Sequence, residues 1–227
     1  RSWDDAWLSE SFATYSQYLY ARSDKGEDAG AFDLLGKKNQ YLKEARDRYM
    51  RPIVFNRYND PDDNFDSHTY PKGACILHLL RYILGDATFF RTLSSFLHQN
   101  DFRPVGTYDL IKTVKEVSGK NMDWFFEQYI FSPGHPVFEV IKSWNESTKK
   151  LTITIHQKQD SASGVPVYTL PVNFGFHFPD KKIIKEVWLK NKLEKFEFEF
   201  ASEPLLVRFD EGNWLLKEIT FKKSVKE

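Results

Sequence analysis

The feature that most constrains the fold is a change of hydrophobic period at Phe131-Ser132-Pro133-Gly134-His135-Pro136. Before this point apolar residues recur every three or four positions, as on buried helix faces. Beyond it they alternate, as on strands with one covered face. A chain that switches period once, at a proline-rich turn, is neither a single helical bundle nor a single barrel. We expect a multi-domain α+β protein with a mainly helical unit over 1–135 and an antiparallel β-sandwich over 136–227. At 227 residues the chain is longer than the usual single domain, in keeping with two modest ones.

In the second half, strand-like runs fall near 137–144, 150–158, 166–178, 183–190, 194–200, 205–209 and 214–221. Leu151, Ile153 and Ile155 share one face. Tyr168, Leu170, Val172, Phe174, Phe176 and Phe178 form another, and Phe196, Phe198 and Phe200 alternate with Glu197 and Glu199. About seven short strands joined by turns such as Asp210-Glu211-Gly212-Asn213 are what a small sandwich needs. No catalytic constellation is visible there, and His156 and His177 read as structural.

In the first half, a helix is expected from about Ala31 to Met50, stopping before Pro52. Residues 52–70 read as loop. Its acidic run Asn59-Asp60-Pro61-Asp62-Asp63-Asn64 lacks the spacing and terminal Glu of a calcium loop and reads as solvated turn. Pro71 then suits the first position of a strongly apolar helix that carries Ile76, Leu77, Leu79, Leu80, Ile83 and Leu84 and ends at Gly85. That would make Tyr70 its N-cap, held extended by the proline. Asp86 or Thr88 caps the next helix, Thr107 starts one that closes at Gly119, and Asn121 starts the last. A phenol at a helix N-terminus stands where negative charge is favoured, and it can donate to a developing oxyanion. The plain alternative is a packing tyrosine.

The opening stretch Trp7-Leu8-Ser9-Glu10-Ser11-Phe12-Ala13-Thr14-Tyr15 reads as a helix with Leu8, Phe12, Tyr15 and Leu19 on one stripe. Ser2 and Asp5 have capping-box spacing before it. The opposite face holds Trp3, Ala6, Glu10, Ala13 and Gln17, so the helix is expected to be buried nearly all round. Glu10 then stands out, because no Lys or Arg lies a turn away to pair with it. A buried carboxylate needs a cation, from another segment or a metal ion. The plain alternative is an ordinary solvated acid.

These stretches resemble the aminopeptidase N family of zinc peptidases (the M1 gluzincins). Trp7-Leu8-Ser9-Glu10-Ser11-Phe12-Ala13-Thr14-Tyr15 is similar to the family's W-L-N-E-G-F-A-x-Y segment, departing at Ser9 and Ser11, where Asn and Gly are usual. Tyr70-Pro71-Lys72-Gly73-Ala74 is similar to its Y-x-K-G-A segment, and Phe125-Phe126-Glu127-Gln128-Tyr129 to the helix that closes its catalytic domain. The resemblance implies a helical part of a thermolysin-like catalytic domain followed by a β-sandwich. It implies Glu10 as the third zinc ligand and Tyr70 as the group that stabilises the tetrahedral intermediate. It also implies an H-E-x-x-H helix before Glu10. No such motif occurs in this chain, and no two of His68, His78, His98, His135, His156 and His177 are four apart. The chain is therefore expected to be a fragment of a zinc aminopeptidase acting on peptide substrates together with the remainder of its parent chain. By itself it is expected to bind no zinc and to be inactive. The alternative is a non-catalytic relative, a scaffold or protein-binding module that has lost the zinc.

Composition narrows the partners. The 32 acidic and 32 basic residues balance, so nothing favours nucleic acid or an anionic membrane surface. No apolar run is long enough to span a membrane. The single cysteine, Cys75, excludes an internal disulfide and sits in an apolar helix as an inert thiol.

Overall fold

One glycine separates the first two helices. Gly26 has φ 93°, a conformation closed to most side chains, and it ends α1 (Trp7–Lys25) and starts α2 (Glu27–Asp47) without a loop. The second helix thus begins four residues before its expected start, because Gly26 alone makes the break. The computed structural model describes residues 3–223 and divides into two compact units, Arg1–Gly134 and His135–Glu227.

The first unit continues with a short 3-10 turn, Pro61–Asn64, whose capping box is made by Asp60 and Asp63. A π-helical turn, His68–Lys72, runs directly into α3 (Gly73–Leu84). Then come α4 (Asp86–Gln99), α5 (Thr107–Ser118) and α6 (Asp123–Phe126), the last extended by a π turn, Glu127–Phe131. Helix α3 is the centre of the unit: Ala74, Cys75, Ile76, Leu77, Leu79 and Leu80 are all buried. Burial pushes the Cys75 thiol up to about 12, which keeps it unreactive.

Two local expectations are corrected here, and a third falls partly outside the described residues. Helix α1 is not buried all round: Ala13 and Gln17 are exposed, and Trp3 is 52% exposed. Its inward stripe is Trp7, Leu8, Ser11, Thr14, Tyr15 and Tyr18, while Phe12 and Leu19 are half-buried at its margin. Ser11 and Thr14 can lie on this stripe because their hydroxyls donate to backbone carbonyls. The capping box expected at Ser2 lies outside the described residues, and its other member, Asp5, instead caps α5, accepting from the backbone N–H and hydroxyl of Thr107 at 2.8 and 2.6 Å. Helix α4 has Gly85 as its N-cap, since the Asp86 carboxylate is held by Arg81 at 2.6–2.7 Å.

In the second unit the strands are β1 (Val137–Asn145), β2 (Lys150–Gln157), β3 (Leu170–His177), β4 (Lys182–Leu189), β5 (Leu193–Glu199), β6 (Leu206–Phe209) and β7 (Glu218–Lys223). One sheet has the order β5-β2-β1-β7 and the other β4-β3-β6. Pairing is antiparallel except between β1 and β7, which run parallel from Val137–Glu218 to Lys142–Lys223. The alternating faces meet between the sheets. Phe176 of β3 lies 4.8 Å from Phe198 of β5, and Phe138 of β1 lies 5.0 Å from Phe209 of β6. The fold class is α+β.

Candidate active site

Glu10 sits in the first turn of α1, half-buried, with its backbone N–H on the carbonyl of Ala6. The start of this helix is fastened to α5 by a relay. The Trp7 indole N–H donates to Thr107 Oγ1 at 2.8 Å, and that hydroxyl donates to Asp5. Glu10, Asp5 and Asp109, with Trp3, Phe65 and Gly106, line a cleft of about 420 Å³. A larger cleft of about 920 Å³ in the same unit runs past Tyr49, Arg51, Phe55, Tyr58 and Phe131 and contains neither Glu10 nor Tyr70; Phe65 borders both. Glu10 therefore marks the smaller cleft as the candidate site.

Tyr70 is not an N-cap. It lies inside the π turn, with its N–H on the carbonyl of Asp66 at 3.2 Å. The π register suits Pro71, which has no N–H to give. The next donors skip one residue further back, Lys72 N–H to Ser67 O and Gly73 N–H to His68 O. The side chain that caps the turn belongs to Asp66, whose Oδ1 accepts from the N–H groups of His68 (2.9 Å) and Thr69 (3.2 Å).

The turn brings Tyr70 to Glu10. The phenol is half-buried and lies close enough to the Glu10 carboxylate to feel its charge. Burial first, and then the Glu10 carboxylate, hold the phenol above its ordinary pKa, so it stays protonated and able to donate at neutral pH. The Phe65 ring, 6.3 Å from that of Tyr70, covers one side.

Beneath Tyr70 lies a buried polar knot that the sequence did not announce. Arg51 forks onto Asp66, Nη2 to Oδ1 at 2.7 Å and Nε to Oδ2 at 2.9 Å. It also donates to the carbonyls of Pro52, Ile53 and Asn64 and to Thr69 Oγ1. The Tyr49 hydroxyl gives Asp66 a further bond at 2.9 Å. Burial raises the Asp66 carboxyl, but the bonds from His68 and Arg51 outweigh it and hold it well below the usual carboxylate range. His68 is wholly buried, and burial keeps its pKa down. Its Nε2 accepts from the Arg51 N–H at 3.3 Å, so Nδ1 carries the proton and donates to Asp66 at 3.2 Å.

Glu44, Asp66 and His68 bring three ligand-type atoms within 4.8 Å of one another. They do not suit a metal: both nitrogens of His68 are engaged, and the Asp66 oxygens already accept from six donors. Glu10 suits one better. Its oxygens open onto a cleft, and Ser9 Oγ donates to them only weakly, at 3.4 Å. A half-exposed carboxylate of this kind is a normal zinc ligand, but one such ligand is too few to form a site. One signal in the sequence pointed to the turn's cap: an Asp two residues before a helical run is a cap candidate. Nothing local pointed to Arg51.

Comparison with known proteins gives a consistent result. The family model for the Peptidase family M1 domain matches residues 1–129. The chain is 32% identical over 148 residues to tricorn protease-interacting factor F2 of Thermoplasma acidophilum, covering 63% of this chain and 19% of that protein. It is 31% identical over 142 residues to aminopeptidase N of Lactococcus lactis subsp. lactis, covering 60% and 16%. It is 22% identical over 216 residues to the puromycin-sensitive aminopeptidase of Caenorhabditis elegans, covering 92% and 23%. The crystal structure of Legionella pneumophila aminopeptidase A in complex with aspartic acid superposes on 99% of this chain and 25% of its own, with TM-score 0.75 and 19% identity, a likeness of fold. The chain thus spans less than a quarter of the length of each of these curated relatives.

Proposed function

The chain belongs to peptidase family M1, and from that premise we propose that it carries part of the active site of a zinc-dependent aminopeptidase that removes N-terminal residues from peptides. Glu10 would hold the metal by its carboxylate, together with ligands from the remainder of the parent chain. The zinc, when bound, supplies Lewis acidity at the scissile carbonyl.

Tyr70 has the second role. Its phenol stays a donor at neutral pH and would donate to the carbonyl oxygen as negative charge gathers there, a bond stronger in the transition state than in the ground state. Phe65 and Trp3, with rings 5.9 Å apart, would shield that oxygen from water on one side of the cleft. What supports these roles is a juxtaposition. A protonated phenol and a half-exposed carboxylate, from segments far apart in the chain, lie close enough to act on each other, and the carboxylate opens onto a cleft.

Tyr70→Phe in the full-length enzyme tests the assignment. The ring and its packing are kept and only the hydroxyl is lost. We expect kcat to fall about a hundredfold to a thousandfold with KM little changed. A near wild-type kcat with a lowered unfolding midpoint would make Tyr70 a packing residue and remove it from the chemistry.

A further inference from the structure

We propose that Ser11 is a positioning residue for Tyr70. Resting on the roles given above to Glu10 and Tyr70, its hydroxyl would fix the offset at which the phenol meets the carboxylate. Ser11 follows Glu10 directly on α1 and is wholly buried. Its Oγ donates to the carbonyl oxygen of Thr69, the residue before Tyr70, at 2.6 Å. One short bond thus joins the residue beside Glu10 to the residue beside Tyr70.

The approach that permits this bond depends on Gly73. A Cβ there would stand 1.8 Å from Ser11 Oγ and 2.7 Å from Ser11 Cβ, so any other residue would push the turn off the helix. Ser11 and Gly73 fit together as hydroxyl and hollow. The other end of the turn is fastened by the Asp66 carboxylate, held in turn by Arg51. Asp66 sets the N-terminal end of the turn, and the Ser11 bond would set its offset along α1. A directional bond between buried neutral groups specifies position as well as contact.

Two variants separate positioning from packing. Ser11→Ala deletes the hydroxyl alone. Ser11→Gly/Gly73→Ala moves the missing volume to the other partner. Apart from Ser11, the nearest heavy atom to a Cβ at position 73 is the His68 carbonyl oxygen at 3.8 Å, an ordinary contact, so this double variant should pack without the bond.

The readout is the NMR resonance of the Tyr70 ring in the full 227-residue chain with labelled tyrosine, at fixed neutral pH, assigned by Tyr70→Phe. In the parent chain, Glu10→Gln should shift this resonance because the phenol loses its charged acceptor. In both Ser11 backgrounds the same substitution should shift it by less than half as much, while the unfolding transition stays cooperative. An undiminished response in both backgrounds would overturn the inference. A response diminished by Ser11→Ala but restored in the double variant would also overturn it, because volume alone would then suffice. Activity is not read in this experiment. Should Tyr70→Phe prove fully active in the enzyme, the catalytic reading falls while the positioning result stands or fails by itself.

Discussion

At the scale of single residues, Lys72 is the group least at ease with its surroundings. It is fully buried, its ammonium lies 5.4 Å from the centre of the Tyr41 ring, and it finds no hydrogen-bond partner. Burial, with the Arg51 cation nearby, lowers its pKa to about 7 from an ordinary 10.5. Between these values the unfolded chain holds a proton that the folded chain does not. Raising the pH through this window therefore favours the folded state, by up to about 1.4 kcal/mol per pH unit. Below about 7 both forms are charged and the cost stays constant. Lys72→Met should remove the slope and stabilise the chain at neutral pH, since an apolar chain of similar length fits the site without carrying charge. Urea unfolding of both chains at several pH values between 7 and 10 checks this, and equal slopes in the two would refute it.

At the scale of elements, the turn that carries Tyr70 depends on partners distant in sequence. Arg51 and Asp66 form a buried ion pair whose carboxylate also caps the turn. Arg51→Met would leave that carboxylate charged and unpaired, a loss of about 3–5 kcal/mol. A loss under about 1 kcal/mol in unfolding free energy, typical of a surface pair, would show that the knot does not hold the turn. This dependence explains what the sequence could and could not disclose. The helices α3 and α5 and the strands were legible because their periods are strong and their ends are marked, as by Gly85 and by Gly119 in the left-handed conformation. The form of the turn was not, because Pro71 reads locally as a helix start while the capping bonds come from Asp66 and Arg51. The parallel pairing of β7 with β1 was hidden too, since alternation gives a strand's faces and not its neighbour. Glu10 and Tyr70 each stood out locally, but their roles were legible only through their motifs. Their meeting was not, because it runs through Ser11, where the chain departs from the family pattern.

At the scale of the whole molecule, the two units have separate cores. The sandwich closes its own interior with Phe138, Leu151, Ile153, Leu170, Phe174 and Phe176, all buried within residues 135–227. We propose that this segment is a domain, and that expressed alone it unfolds in one cooperative β-type transition. A chain without that transition would mean that its core needs the helical unit. In the helical unit, by contrast, Glu10 is the one candidate zinc ligand among the described residues, and its role is open to direct test. That test is the zinc content of the purified full-length enzyme, with Glu10 intact and as Glu10→Gln, measured by mass spectrometry and set beside the unfolding midpoint of each. Gln keeps the shape of the side chain and removes its charge. Stoichiometric zinc is expected with Glu10, with its loss in Glu10→Gln and an unfolding midpoint for the variant that matches the metal-stripped parent. Full zinc retention by a folded Glu10→Gln enzyme would contradict this role.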